Sequence, residues 1–415
     1  MRWMIWLLML FVVAVLAAGT LGANDGLVSI YWSPWRIDLS LNLFLLLLLV
    51  SGFALHAAVG AVYSLIGLPE RARLWRTERR ASAAQAALRE AQAFLLAGRY
   101  GRAHKAARRA VELQAQTEGL DHDAEFGALA HLLAAASLHR LQDRTGRDEQ
   151  LARVEALIVR PTVPSPVAEG ASLLAAEWAI DDRQGERALE QLLAMPAGVA
   201  RRTHALRLRL QAARLARQPL EALRAARLLA KHQGFTPAAA EGLLRSLAIE
   251  AIDSSRDADQ LRRIWQQLEP VDRRDALVAA RAAERAALLE APADARSWLR
   301  PHWENIVSLG ERERLAITLA FVEVLDGLPA DWLALLEKAV TALPNDPAIA
   351  YAVGCAMAQR QLWGRARRLL ETAAQAPGGE PALRRRAWQA LARMAEYEGD
   401  TEQAQRCYKE AAQNA

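Results

Sequence analysis

Cysteine is scarce in this sequence: its 415 residues include only Cys355 and Cys407. Two thiols without a Cys-x-x-Cys spacing argue against a disulfide framework and against a structural zinc site. The sequence also lacks G-x-G-x-x-G, G-x-x-x-x-G-K-[ST], H-E-x-x-H and G-x-S-x-G, the common signatures of dinucleotide, phosphate, zinc-protease and hydrolase sites. We therefore expect no enzymatic activity, no catalytic residue and no metal site.

A basic domain is lacking as well. Residues 81–415 contain 45 basic and 43 acidic side chains, although the whole chain has a formal charge of +5. Proteins that bind nucleic acids usually carry a basic patch on the binding domain, so we expect no nucleic-acid partner. The excess charge is concentrated in a basic cluster close to the amino terminus, formed by Arg71, Arg73, Arg76, Arg79 and Arg80.

Long apolar runs, by contrast, are present. Trp3–Leu21 and Leu41–Leu68 are both free of charged residues, and a helix needs about 20 apolar residues to cross a membrane. The two runs predict a two-helix transmembrane hairpin over residues 1–68, rather than a cleaved leader. The loop between them, residues 22–40, could form a small β-hairpin on the outer surface or an irregular loop.

The flanking charges predict the orientation of this anchor. The loop is nearly neutral, whereas the basic cluster follows the second run, in a juxtamembrane segment over residues 69–83. Basic flanks remain in the cytoplasm, so we expect a bacterial inner-membrane protein with both termini and the following domain in the cytoplasm. The cluster either only sets this topology or also attracts anionic lipids. His56, within the second run, is either a haem ligand or a residue bonded to a neighbouring helix.

The remaining sequence shows a repeated pattern. The stretch GRYGRAHKAARRAVEL, residues 98–113, resembles the second helix of a tetratricopeptide repeat. Small or aromatic residues recur at the equivalent place, with several spacings of 34 to 38 residues, at Ala103, Ala188, Ala222, Trp332, Ala366 and Ala404; Leu151 is a weaker match. We predict an all-α chain with a right-handed α-solenoid of degenerate repeats: amino-terminal repeats over 84–238, irregular helical hairpins over 239–310 and carboxyl-terminal repeats over 311–415.

The order of these features resembles the HemY family of proteobacteria. The resemblance rests on NDGLVSIYWSPWRIDLSLNL near the amino terminus, on ARSWLRPHWENI, and on the closing AEYEGDTEQAQRCYKEAA. It implies an inner-membrane protein associated with late haem and porphyrin metabolism, without an established enzymatic activity. The family supplies no catalytic residues.

A membrane-tethered scaffold is the function that these patterns favour. Its partners would be proteins, among them haem-biosynthesis enzymes, bound in a groove lined by the first helix of each repeat. The predicted groove residues are His204, Arg207, Gln211, Arg214, Tyr351, Gln359, Gln389 and Arg393. Two alternatives remain open: a haem- or porphyrin-binding carrier or pathway enzyme, and an anchored assembly factor for another envelope or cytochrome pathway. No cofactor is predicted, and haem or porphyrin binding is left open. Asp121–Asp123 would cap a helix rather than hold a metal.

Overall fold

The computed structural model describes residues 9, 13, 26–158, 166–232, 234–377 and 380–413, without the side chains of residues 63–72. The chain divides into two compact units, Met1–Val159 and Arg160–Ala415. The described residues are overwhelmingly helical, which confirms the predicted all-α class. The first predicted membrane span lies outside the described residues except for Met9 and Val13, which are helical and exposed.

A β-hairpin opens the described part of the first unit. Strands β1 (Leu27–Trp32) and β2 (Trp35–Ser40) pair antiparallel, with Leu27 opposite Ser40 and Trp32 opposite Trp35. Residues 27–40 of the loop between the predicted spans therefore form the small β-hairpin that is one of the two alternatives left open by the sequence. The Ser40 side chain accepts a hydrogen bond from the N–H of Leu43 and so caps the helix that follows directly.

Helix α1 (Leu41–Leu96) is 56 residues long. Its first part, Leu41–Val62, is long and apolar enough to cross a membrane, and none of its residues is buried. Its last part packs into the first unit through Ala84, Ala87 and Ala91. The boundaries predicted at 68/69 and 83/84 thus fall inside a single helix. In the described residues this is one candidate span, so the two-helix hairpin is not confirmed.

Three more helices complete the first unit: α2 (Tyr100–Ala115), α3 (Ala124–Arg140) and α4 (Arg144–Ile158). Helix α1 packs on α2, α2 on α3, and α3 on α4, while α1 also contacts α3. The unit is therefore two successive helix pairs, α1 with α2 and α3 with α4.

The second unit continues the same arrangement. Its helices are α5 (Pro166–Asp181), α6 (Gly185–Leu193), α7 (Ala197–Ala200), α8 (Thr203–Leu215), α9 (Pro219–Lys231), α10 (Pro237–Asp253), α11 (Ala258–Gln267), α12 (Pro270–Arg273), α13 (Ala276–Leu288), α14 (Pro292–Glu304), a 3₁₀ turn (Ile306–Ser308), α15 (Glu311–Val322), α16 (Trp332–Ala342), α17 (Pro347–Gln359), α18 (Trp363–Gln375), α19 (Pro381–Glu398) and α20 (Thr401–Gln413). From α10 onwards the first helix of each pair also packs on the next first helix: α10 on α13, α13 on α15, α15 on α17, and α17 on α19. This nearest-neighbour packing is typical of helical repeats.

The same turn closes most of the described pairs. A residue with positive φ follows the first helix, and the next N–H donates to a carbonyl five residues back at 2.8 to 3.0 Å, as in a Schellman motif. Only two of these positions are glycines. The turn residues are Gly98, Gln142, Arg183, Arg217, Glu290, Gln361 and Gly399. A Gly-based search therefore misses most of the repeats, since non-glycine residues also adopt this left-handed conformation.

The alanines predicted as repeat anchors share one place in the fold. Each is the fourth residue of a second helix and is at most 4% exposed, which allows the two helices to approach closely; they are Ala103, Ala188, Ala222, Ala366 and Ala404. In α4 this place belongs to Arg147 rather than to Leu151, which lies one turn later. The buried Arg147 guanidinium contacts Asp148 at 2.8 Å and Nδ1 of His139 at 3.2 Å. A buried arginine at an alanine position explains why the second repeat is hard to recognise.

Residues 239–310, predicted as irregular hairpins, contain two regular pairs, α10 with α11 and α13 with α14. The irregularity is the short helix α12 between them. His302 on α14 is 7% exposed, and its Nε2 lies 3.3 Å from the carbonyl oxygen of Arg273 at the end of α12. Since a carbonyl only accepts, Nε2 donates, and this bond holds α12 against α14.

Arginines on successive helix pairs link the second unit. Arg245 on α10 contacts Asp275, which caps α13, at 2.6 Å, and Arg314 on α15 contacts Asp346, which caps α17, at 2.8 Å. In the same way Arg262 reaches Asp294 at 2.7 Å. Much of the arginine content therefore contributes to packing between repeats, which sequence analysis did not anticipate.

Glycine packing tests the close approach of the helices. A Cβ on Gly185, the first residue of α6, would lie 2.7 Å from the backbone nitrogen of Ala216, whereas a Cβ on Gly242, in α10, meets nothing within 4 Å. We expect Gly185→Ala to lower the free energy of unfolding by about 1–3 kcal/mol through overpacking. Gly242→Ala should leave it unchanged or raise it by about 0.5–1 kcal/mol. Urea denaturation followed by circular dichroism measures both; equal stabilities of the two variants would contradict this packing.

The buried histidine tests the packing of α12. Burial lowers the pKa of His302, against the opposing effects of the Arg273 carbonyl, Asp275 and Glu313. An unfolded histidine titrates near 6.5, so the unfolded chain binds more protons below that pH, and stability is lost as the pH falls below about 6.5. We expect His302→Gln to reduce this loss in thermal unfolding between pH 7 and 5. The exposed His232 is the control, and the idea fails if His232→Gln reduces the loss equally.

Candidate functional site

The clearest candidate surface lies on α8, the first helix of its pair. His204, Arg207, Gln211 and Arg214 are all exposed and follow a three- and four-residue spacing, so they share one face of the helix. The opposite face of α8 is buried in the unit, through Ala205, Leu206, Leu208, Ala212 and Ala213. Four of the eight predicted groove residues are thus brought together on one polar surface, which we call the α8 surface.

The α8 surface also differs from its surroundings in its ion pairing. Arg209, on the other side of α8, contacts Glu221 at 2.7 Å. Within the described part of the chain, Arg207 and Arg214 have no ion pair or hydrogen bond. Their guanidinium groups are therefore free to bind carboxylates of another molecule.

The other predicted groove residues lie on α17 and α19, also first helices. Tyr351 is buried, at 4% exposure, so its assignment to an exposed groove is corrected. Gln359 is exposed, but its side-chain amide donates to Asp326 at 2.7 Å. Gln389 is half-buried, and Arg393 is exposed, with its Nε 3.4 Å from the Gln389 carbonyl oxygen.

Tyr351, which is buried, and Cys355, which is half-buried, form a polar pair one turn apart on α17. Burial raises the pKa of Tyr351, while the charges of Arg386 and Arg393 oppose that effect. Burial also raises the pKa of Cys355 to about 12, and it raises the pKa of Cys407. Both thiols are therefore poor nucleophiles, in keeping with a packing role. Sequence analysis did not select Arg386, which is exposed on α19. Only its proximity in the fold to Tyr351, on α17, distinguishes it from other arginines.

The basic cluster lies on α1, between the apolar segment and the packed end of the helix. Arg73, Arg76, Arg79 and Arg80 are exposed, and the side chain of Arg71 is outside the description. Arg79 lies 5.0 Å above the ring of Trp75. Arg80 donates to the carbonyl oxygen of Gln116 at 3.4 Å and so contacts the end of α2.

Two candidate ligand positions have different outcomes. His56 is exposed on the apolar segment of α1, and its role as a haem ligand stays a prediction. Asp123 accepts a hydrogen bond from the N–H of Phe126 at 2.9 Å and caps α3, which confirms the predicted capping role. A search of the described residues finds no group of three or more histidines, cysteines or carboxylates that could hold a metal ion.

The described residues define a helical-repeat protein built from antiparallel helix pairs. In its amino-terminal part, residues 26–142 match the family described as HemY protein N-terminus. This range covers the β-hairpin and helices α1 to α3, and the match confirms the resemblance noted from the sequence.

Comparison with solved structures adds little. A structure described as the functional characterization of Pseudomonas aeruginosa pilF is 13% identical, with 79% of this chain and 90% of that chain covered and a TM-score of 0.22. A second structure, described as Naa15/Naa10 bound to HypK-THB, is 14% identical. The match covers 75% of this chain and 56% of that chain, with a TM-score of 0.25. Scores this low support no argument about fold or function. No curated protein matches the chain.

Proposed function

We propose that this protein is a non-catalytic scaffold, tethered to the bacterial inner membrane, that binds a protein partner through its helical repeats. One observation carries the proposal: the single helix α1 contains both the exposed apolar segment Leu41–Val62 and the first buried residues of the repeats. A continuous exposed apolar surface of this length is unstable in water, and 22 residues of helix span about 33 Å, enough for the hydrocarbon layer.

The membrane orientation follows from the charges on either side of this segment. The basic cluster lies on the side of the repeats, and basic residues remain in the cytoplasm. The β-hairpin lies on the other side and carries exposed aromatic residues, Tyr31, Trp32 and Trp35. The proposal therefore places the hairpin outside and the repeats with the carboxyl terminus in the cytoplasm, and a first span over Trp3–Leu21, as the sequence predicts, returns the amino terminus to the cytoplasm. Between Val62 and Ala84 the helix rises about 33 Å, which would separate the first packed repeat from the membrane.

The α8 surface supports the partner-binding part of the proposal. It is exposed, polar and cationic, and it lies on a first helix, the element that lines the binding groove in tetratricopeptide-type repeats. The HemY family match makes enzymes of late haem and porphyrin biosynthesis the first partners to examine. Haem or porphyrin binding by the chain itself stays a prediction, which absorption of the purified protein in the Soret region tests.

Cysteine labelling tests the orientation. Trp32 is 78% exposed in the hairpin, and Arg153 is exposed on α4. In cells with a permeabilised outer membrane, we expect an impermeant maleimide to label Trp32→Cys but to label Arg153→Cys only after the inner membrane is disrupted. Labelling of Arg153→Cys while the inner membrane is still intact would contradict the proposed topology.

Charge reversal tests the α8 surface. We expect the double variant Arg207→Glu, Arg214→Glu to reduce partner recovery about tenfold after crosslinking in native membranes, because like charges then face the partner. The matched control is the double variant Arg153→Glu, Arg256→Glu, which makes the same change in net charge at two exposed positions outside the α8 surface. Quantitative mass spectrometry of crosslinked proteins measures recovery. Unchanged recovery for the α8 variant would remove this surface from the proposal.

A further inference from the structure

A cleft of about 620 Å³ lies between the second helices α11 and α14 and the short helix α12. We call it the Trp–Arg cleft. Its lining residues are Trp265, Pro270, Arg273, Arg274, Ser297, Trp298, Pro301, His302, Asn305, Ser308 and Leu309. None of these residues was predicted as a site, and none belongs to the α8 surface.

One wall of the cleft is aromatic. The rings of Trp265 and Trp298 stack with centroids 4.8 Å apart and an interplanar angle of 24°. Trp265 is buried, while Trp298 is half-buried and remains partly accessible from the cleft. Pro270 and Pro301 are exposed and extend this apolar wall. A rigid indole backed by a second indole is a surface on which an apolar or aromatic side chain packs well.

One end of the cleft is cationic. Arg273 and Arg274 have no ion pair in the described part of the chain, although nearby carboxylates are already engaged. Asp272 and Glu269 both contact Arg227. Arg227 balances only one of these two carboxylates, so together with Arg273 and Arg274 this group of side chains keeps a net charge of about +1, which an anionic group would complement.

The remaining end of the cleft is polar. The side-chain amide of Asn305 donates to the carbonyl oxygen of Pro301 at 3.0 Å, and the Ser308 hydroxyl donates to the Asn305 carbonyl oxygen at 2.8 Å. These bonds leave the Asn305 side-chain oxygen and the Ser308 oxygen as acceptors, of the kind that a peptide N–H can use.

We propose that the Trp–Arg cleft binds an acidic peptide segment of a partner protein, with an apolar or aromatic side chain against Trp298 and a neighbouring carboxylate on Arg273 and Arg274. Such a segment supplies all three complements at once: an apolar side chain, a carboxylate and a backbone N–H. The proposal rests on the scaffold function, but it concerns a surface separate from α8, so each can fail without the other.

Peptide binding to the full-length protein in detergent tests the cleft. The probe is a fluorescein-labelled peptide in which one phenylalanine is flanked by glutamates, and fluorescence anisotropy measures its Kd. We expect Arg273→Glu with Arg274→Glu to weaken binding at least about tenfold, and Arg153→Glu with Arg256→Glu to leave it unchanged. The peptide with glutamines in place of glutamates should also bind about tenfold more weakly.

A second measurement tests the aromatic wall and guards against misfolding. Replacing phenylalanine by alanine in the peptide should weaken binding of the unaltered protein about tenfold, without any change to the protein itself. Equal affinities for the glutamate and glutamine peptides, or for the reversed and control proteins, would overturn the proposal. The proposal would also be overturned if a phosphopeptide bound the protein far more tightly than the glutamate peptide does.

Crosslinking in membranes separates this proposal from the scaffold function. If the variant Arg273→Glu, Arg274→Glu recovers every partner at the unaltered level while the α8 variant loses them, the cleft proposal fails and the scaffold stands. Loss of one partner only with the cleft variant supports the cleft as its binding site.

Discussion

The left-handed turn that closes seven of the described helix pairs is the constraint on which these repeats depend. One residue at positive φ and one hydrogen bond to a carbonyl five residues back set the direction in which the second helix returns along the first. That return places the fourth residue of the second helix against the first helix, where alanine usually fits. At five of the seven turns a residue other than glycine holds this conformation, so packing of the pair outweighs the local preference, which is on the order of 1–2 kcal/mol.

Charge has two different roles in the second unit. Where one helix pair meets the next, arginines bind carboxylates that also cap helices, as Arg245 does with Asp275 and Arg314 with Asp346. These pairs are partly buried and connect one helix pair to the next. Elsewhere the arginines are left without partners, on α8 and at the end of α12. Free guanidinium groups combined with a polar helix face on α8, or with an aromatic wall beside α12, identify the two candidate binding surfaces, whereas net charge does not.

Helix α1 connects the two proposed activities of the chain, anchoring and binding. Because one helix carries the apolar segment, the basic cluster and the first buried alanines, its backbone hydrogen bonds, apart from the one that Pro69 cannot donate, make the connection stiff. A flexible linker would let the helix pairs of the first unit sample many positions, whereas a helix restricts them to a defined distance from the anchor. The HemY family match covers this helix from end to end.

The sequence by itself determined the helical class, the apolar segment, the basic cluster and the alanine positions, because each is a matter of spacing along one helix. Only the tertiary structure decided which helix packs against each face of a given helix. It buried Tyr351 beneath α19 and placed Arg147 where an alanine was expected. It also brought Trp265 and Trp298 together from different helix pairs to form the cleft. Periodicity predicts which side of a helix is buried, but contacts between helix pairs depend on turn geometry and on long side chains that reach across, and neither leaves a regular pattern in the sequence.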